Sequence, residues 1–514
     1  MYPEYWAAQH PDKPAVVIAD TGAMTTFEQL DQNSRRFAHL LHDKGIGVGD
    51  HVAVLLENRT EFIDVVWGCL LAGVHISPIS RYVTADEAGY ILRDCGAKAF
   101  VTSTQVRKSV EHLPEGNHFV DVWLNVDDDA MPGYTSYHDA LNSASGEPIS
   151  PDAPLGEYML YSSGTTGRPK GVARKLSGRA VKDGSNANRF LSKIFGVDDS
   201  SVYLSPAPLY HGAPLGFTIG ATSLGATAVL LTKFEAQHAL QAIDDHRVTH
   251  SQWVPTMFTR MLQLPEEVRH RYTLETQRVA IHSAAPCPRH VKEAMFEWWG
   301  PVLHEYYSGT EDVGVTYAGP QDWLTHPGTV GRPLGFTIHI CDESGAELGP
   351  GETGLVYFET RREPFRYHGD EAKTRDSRHP SHANWVTLDD IGHLDDDGFL
   401  YLTDRASFMI ISGGVNIYPR EIEDVLSEHP AVADVAVIGV PSTTDMGEDV
   451  MAIVELRPGH SRSEDTEREI LEFAGKKLAG PKRPRSVDFM DHLPRLATGK
   501  LAKKQIRQPY WAGN

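Results

Sequence analysis

Cysteine is scarce in this chain of 514 residues: the four present, Cys69, Cys95, Cys287 and Cys341, lie far apart with no CxxC spacing. That excludes a disulfide framework and a sequence-local zinc site, and it points to reduced thiols in a cytoplasmic protein. Positive charge is also short, with 48 Lys and Arg against 69 Asp and Glu and a formal net charge of -21. Nucleic acid and anionic membrane surfaces would be repelled by that field, so neither is expected as a partner. The most apolar stretches, near Val65 to Val74 and Gly216 to Leu231, are too short or too rich in Ser and Thr to span a bilayer. Met1-Tyr-Pro-Glu-Tyr-Trp6 lacks the basic start and apolar run of a signal peptide. Internal repeats and low-complexity linkers are missing as well. What remains is 41% apolar and 23% charged residues, ordinary for a globular protein, in a chain long enough for two or more domains.

Helical and strand patterns alternate through the first half. Thr26 to Gly45 reads as a helix, opened by a Thr26-x-x-Gln29 capping box and carrying Phe27, Leu30, Phe37, Leu40 and Leu41 on one face. Strands are predicted at His51 to Leu56, His75 to Ile79, Lys98 to Thr102, Thr227 to Leu231 and Arg278 to His282, with a helix over Glu61 to Ala72. This rhythm predicts an α/β protein with sheets flanked by helices and ligands at the C-terminal ends of strands. Beyond Leu402-Thr-Asp-Arg-Ala-Ser407 a second, compact α/β pattern begins: helix Pro419 to Ser427, strands Asp434 to Val440 and Val450 to Leu456, helix Glu464 to Leu478 and strand Ser486 to Met490. It predicts a small C-terminal domain.

One loop carries the strongest chemical signal. Tyr161-Ser-Ser-Gly-Thr-Thr-Gly-Arg-Pro-Lys-Gly-Val172 packs hydroxyls, glycines and two cations together. Glycines let backbone amides approach an anion, the hydroxyls of Ser162, Ser163, Thr165 and Thr166 add donors around Gly164, and Lys170 can reach a terminal phosphate. The spacing is not that of a Walker A loop, because Pro169 stands five residues after Gly164. A plain Ser/Gly turn has similar composition, but not the terminal Lys-Gly.

At this loop the chain resembles the adenylate-forming superfamily, in particular the acyl-CoA synthetases, and further segments extend the resemblance in order. Pro206-Ala-Pro-Leu-Tyr-His-Gly212 matches the segment whose histidine, here His211, borders the acyl pocket. His282-Ser-Ala-Ala-Pro-Cys287 matches the strand end that lies against adenine, through Ser283, Ala284 and Ala285. Glu305-Tyr-Tyr-Ser-Gly-Thr-Glu311 matches the ATP-binding segment Glu305, Tyr306, Tyr307 and Ser308, in which Tyr307 stacks on adenine, Thr310 touches the α-phosphate and Glu311 holds magnesium. An aromatic face, a hydroxyl and a carboxylate within one turn suit a purine nucleotide and its metal.

Asp390, in Thr387-Leu-Asp-Asp-Ile-Gly392, matches the acidic residue that binds both ribose hydroxyls, although Asp389 stands where the family usually has Gly. Arg405 of Asp404-Arg405 matches a second ribose contact. The hinge follows at 406–407, with Ser407 in place of the usual Asp or Lys. Ser412-Gly-Gly-Val-Asn-Ile-Tyr-Pro419 resembles the loop whose glycines, Gly413 and Gly414, line the tunnel for the CoA arm, and Leu493-Pro-Arg-Leu-Ala-Thr-Gly-Lys500 the loop with the catalytic lysine, Lys500.

The resemblance thus implies an adenylation core over 1–405 and a C-terminal lid over 408–514. It implies that the protein joins a small carboxylic acid to ATP, with Mg²⁺, releases pyrophosphate, and passes the acyl group to CoA or, as alternatives, to an amine or a carrier-protein thiol. Lys500, His211, Thr310 and Glu311 are the expected catalytic residues. His211, Phe217, Trp253, Ser283 and Gly309 are the expected acyl pocket, whose bulk points to a cyclic or aromatic acid. A monomer or homodimer is expected.

Overall fold

The computed structural model describes residues 2–162, 170–309, 311–360, 365–412, 415–442, 447–495 and 500–511, the side chains of Ser162 and Asn186 apart. The chain divides into two compact units. The first comprises Met1–Trp253, Met257–His282 and Phe365–Glu371, and the second Val254–Thr256, Ser283–Pro364 and Ala372–Asn514.

Local signals explain the elements of the first unit. The helix Phe27–Asp43 starts on a capping box in which Thr26 Oγ1 accepts from the Gln29 N–H while the Gln29 side chain accepts from the Thr26 N–H. Its apolar stripe is buried against the helix Thr60–Ala72. A six-stranded, wholly parallel sheet runs in the order Thr135–Ser136, Val122–Asn125, Ala97–Thr102, His51–Leu55, His75–Pro78, Glu157–Tyr158. Val52, Val54, Ile76, Ala99 and Val101 are fully buried in it, the continuous apolar run of a sheet covered on both faces. A second sheet contributes the order Val279–His282, His250–Trp253, Val202–Ser205, Thr227–Leu230, Pro14–Ile18, Met24–Thr26, parallel except for its last pair. Three short antiparallel strands, Leu160–Ser162, Lys170–Ala173 and Arg366–Tyr367, form a third.

The second unit is mostly antiparallel in its first part. Leu303–Ser308, Val315–Ala318 and Arg332–Pro333 pair in turn. A four-stranded sheet follows in the order Thr337–Cys341, Gly354–Glu359, Trp385–Leu394, Leu400–Arg405. Then come the pair Ile410–Ser412 and Val415–Ile417 and a sheet of Val432–Pro441, Glu448–Leu456 and Ser486–Phe489. The helices Pro419–Ser427 and Glu464–Lys477 close a core of Ile422, Leu426, Val437, Val454 and Ile470.

The α/β class and the elements read from the sequence are present within a residue or two of their expected ends. Gly216 to Leu231 falls in a buried helix, Gly212–Ser223, and a strand, Thr227–Leu230. Among the described residues no helix is long and apolar enough to cross a membrane. All four cysteines are free, three of them buried. Residues 408–514 lie in the same unit as 283–364. Ser407 is exposed in a short 3₁₀ turn, Ala406–Phe408.

Candidate active site

Asp390 is the hub of the candidate residues in the second unit. It sits in the strand Trp385–Leu394 opposite Arg405 of the neighbouring strand, and it is 7% exposed. Tyr307 donates its hydroxyl to Asp390 Oδ2 at 2.6 Å, and Arg405 Nε donates to Oδ1 at 3.1 Å. Burial first, and the charge of Asp390 second, push the Tyr307 phenol far up, so it remains a donor. Asp390 in turn holds the Arg405 guanidinium above its usual range. Lys500 stands within electrostatic reach of Arg405, Asp390 and Glu311. Its ammonium is pushed down to about 8 by burial and then by Arg405, with the two carboxylates opposing. A part-buried lysine facing a carboxylate hub is an arrangement that holds and neutralises an anionic group.

Asp404 fastens this region to the next element. Its carboxylate accepts from the Arg405 N–H at 2.7 Å and from the Arg420 N–H, in the first turn of Pro419–Ser427, at 2.9 Å.

Strained backbone gathers at the same segments. Among the described residues, four other than glycine have positive φ: Arg247, Ala284, Asp312 and Asp389. Three of these are in or beside the expected nucleotide segments, where such strain concentrates. Asp389 has φ 69° and is exposed, while Asp390 next to it is buried and paired. The left-handed conformation explains why glycine suits position 389, and it leaves Asp390 as the carboxylate facing Tyr307 and Arg405. Gly309 allows close packing: a Cβ there would lie 2.7 Å from Leu388 Cδ1 and 2.8 Å from Glu311 Oε2, so both side chains would have to shift.

In the first unit Lys170 opens the strand Lys170–Ala173, in register with Ser162 across from it. Its Nζ is 2.5 Å from Asp370 Oδ2. The strand ahead is fixed by Tyr161, whose hydroxyl donates to Asp94 at 2.6 Å. His211 precedes the helix Gly212–Ser223, and Gly212 lets that helix start close to the same strand, since a Cβ would stand 2.6 Å from Leu160 Cδ1. Phe217 is buried, its ring 6.0 Å from Phe190 and 6.3 Å from Phe195. Trp253 is 1% exposed, donates to Ser251 Oγ at 2.6 Å, and its ring lies 6.2 Å from Phe258, so it serves as packing as much as any pocket wall.

Ser163, Gly164, Thr165, Thr166, Thr310, Gly413 and Gly414 lie outside the described residues, as does the side chain of Ser162. Ser283 is buried at the foot of the Ala284 turn, Ala285 is half-buried, Tyr306 is buried and Ser308 donates to the Gly314 carbonyl. The Glu305 carboxylate is taken by Lys292 at 2.5 Å, both side chains almost fully buried. Neither Lys292, Asp370, Asp94 nor Phe190 carries a motif of its own, and no sequence signal singled them out.

A profile described as "AMP-binding enzyme" matches residues 3–362. The chain belongs to that family. The AMP-binding enzyme C-terminal domain matches residues 421–500. This AMP-binding enzyme is 32% identical to a long-chain-fatty-acid–CoA ligase of Mycobacterium tuberculosis, over 98% of this chain and 97% of that one. It is 31% identical to a fatty acid–[acyl-carrier-protein] ligase of Streptomyces coeruleorubidus, over 98% and 95%. Among solved structures, ATP-bound MatB of Rhodopseudomonas palustris superposes with a TM-score of 0.83 at 27% identity, covering 99% of both chains. The amide bond synthetase McbA of Marinactinospora thermotolerans gives 0.81 at 25% identity, over 99% and 100%.

Proposed function

We propose that the protein activates a carboxylic acid with ATP to an acyl-adenylate, releasing pyrophosphate, and then transfers the acyl group to the thiol of CoA. Family membership supports the first half-reaction. The observation that carries it is the gathering of Tyr307, Glu311, Arg405 and Lys500 around Asp390.

A carboxylate is a poor electrophile at neutral pH. Its oxygen attacks the α-phosphorus, the bond to the bridging β-oxygen breaks, and pyrophosphate leaves with the electron pair. No proton is moved, so the demand on the protein is positional and electrostatic. In this reading Lys500 bridges the carboxylate and the α-phosphate, with Thr310 beside it. Lys170 and the loop Ser162 to Thr166 take the β- and γ-phosphates. Asp390 and Arg405 hold the ribose, and Tyr307 with Ser283 to Ala285 flanks adenine. His211 borders the acid.

Among the described residues no group of three or more His, Cys, Asp or Glu could hold a metal unaided. Glu311, a hard oxygen donor, is the residue that would hold a magnesium ion, which would supply positive charge against the phosphates. Residues 408–514 then turn about Ser407, bringing Gly413 and Gly414 to the thiol, which gives up its proton to water, attacks the acyl carbon and expels AMP.

Carboxylate-dependent ATP–pyrophosphate exchange tests the first half-reaction. Lys500→Ala should lose about a hundredfold or more, and undiminished exchange would sink the assignment. The resemblance to an amide bond synthetase favours a second reading, transfer to an amine. Mass spectrometry of products formed with CoA or with amines separates thioester from amide. The bulk of the expected pocket residues Phe217 and Trp253 favours a cyclic or aromatic acid, which a screen of acids by pyrophosphate release would identify.

A further inference from the structure

Lys170, the cation at the end of the phosphate loop, is delivered to a carboxylate far away in sequence. The strand Lys170–Ala173 pairs antiparallel with Arg366–Tyr367, in the register Val172 to Tyr367 and Ala173 to Arg366. The His368 N–H donates to the Gly171 carbonyl at 2.9 Å, which continues that register toward the lysine. Asp370 follows two residues on and places Oδ2 2.5 Å from Lys170 Nζ, with side-chain exposures of 30% and 15%. All of these residues belong to the first unit. The contact is thus set by backbone pairing and is more than a chance meeting of two long surface side chains.

We propose that Asp370 is a specificity-determining counter-ion for the phosphate loop, one that competes with the β- and γ-phosphates for Lys170 and so limits how tightly pyrophosphate is held. The proposal rests on the reading of Lys170 as a phosphate ligand. A phosphate oxygen reaching Nζ must displace the carboxylate or share the ammonium with it, and in either case it meets a like charge at close range. The consequence is selective. ATP and pyrophosphate carry the groups that compete with Asp370, whereas AMP does not. Adenylation is reversible, so a grip that yields pyrophosphate readily favours its departure over attack on the newly formed adenylate.

The test is calorimetric titration of the full-length protein with magnesium pyrophosphate, ATP and AMP, using Asp370→Asn, Lys170→Met and the double variant. Asp370→Asn should bind pyrophosphate about three- to fivefold more tightly, the worth of a part-exposed ion pair no longer surrendered. AMP affinity should not change, and the gain should vanish in the Lys170→Met background. Unchanged or weaker pyrophosphate binding by Asp370→Asn overturns the counter-ion role, and so does an equal gain for AMP. Wild-type pyrophosphate affinity in Lys170→Met overturns instead the reading of Lys170 on which the proposal rests. If Asp370→Asn melts early, Asp370→Glu and Asp370→Gln, equal in length and differing in charge, replace it. Tighter binding by the glutamine variant supports the proposal, and equal binding refutes it.

Discussion

Lys500 should confer an alkaline limit on adenylate formation. Burial and Arg405 hold its ammonium near a pKa of about 8, well below an ordinary lysine. Only the charged form can bridge a carboxylate and a phosphate. About nine-tenths of the lysine is charged at pH 7, half at pH 8 and about a tenth at pH 9. Single-turnover adenylate formation at Mg-ATP well below saturation, which reports the free enzyme, should accordingly fall about tenfold per pH unit above pH 8. Removing the Arg405 charge, as in Arg405→Gln, should lower the rate and move this limb to higher pH, while Asp390→Asn should move it to lower pH. Stability should run the other way. Between about pH 8 and 10.5 the unfolded lysine still binds a proton that the folded one has lost, so folded-state stability rises with pH in that window. Lys500→Met should abolish this rise in chemical-denaturation curves. Adenylate formation that stays flat from pH 7 to pH 10 would refute the reasoning.

Three further outcomes are expected. Asp390→Asn should raise the KM for ATP by about ten- to a hundredfold in initial-rate assays, because Arg405 loses a charge-assisted partner and the ribose an acceptor. Lys292→Met should destabilise the fold by about 3–5 kcal/mol, because Glu305 is left charged and buried, and Lys292→Met with Glu305→Gln should recover much of that loss on thermal melting. Asp389→Gly should stabilise by about 1 kcal/mol in urea, relieving φ 69° with the hydrogen bond of its N–H to Thr387 Oγ1 kept.

Elements with local causes were legible in the sequence. The Thr26 capping box and the parallel strands of Val, Ile and Ala announce themselves over a few residues, and so do Pro419–Ser427 and Glu464–Lys477. The helix Lys503–Trp511 was not legible, because Pro509 interrupts it and its buried face reduces to Lys503 and Ile506. The candidate site divides in the same way. Tyr307, Asp390, Arg405 and Lys500 were found through ordered motifs, and the structure brings them together. Which of Asp389 and Asp390 faces the arginine was decided by a backbone angle that the sequence does not express. The ion pair of Glu305 with Lys292 was not legible, because Lys292 lies on another element with no periodic signature. Lys170 and Asp370 are 200 positions apart, beyond the reach of any spacing argument.

That separation also bears on how the protein is made. At about 5–20 residues per second, a ribosome finishes Asp370 some ten to forty seconds after Lys170. Until then the strand Lys170–Ala173 has an open edge where Arg366–Tyr367 will pair, and its lysine lacks this counter-charge. A nascent chain or a fragment ended near residue 282 therefore exposes the edge of the strand Lys170–Ala173. It should be a poor stand-in for the first unit and a ready target for chaperones.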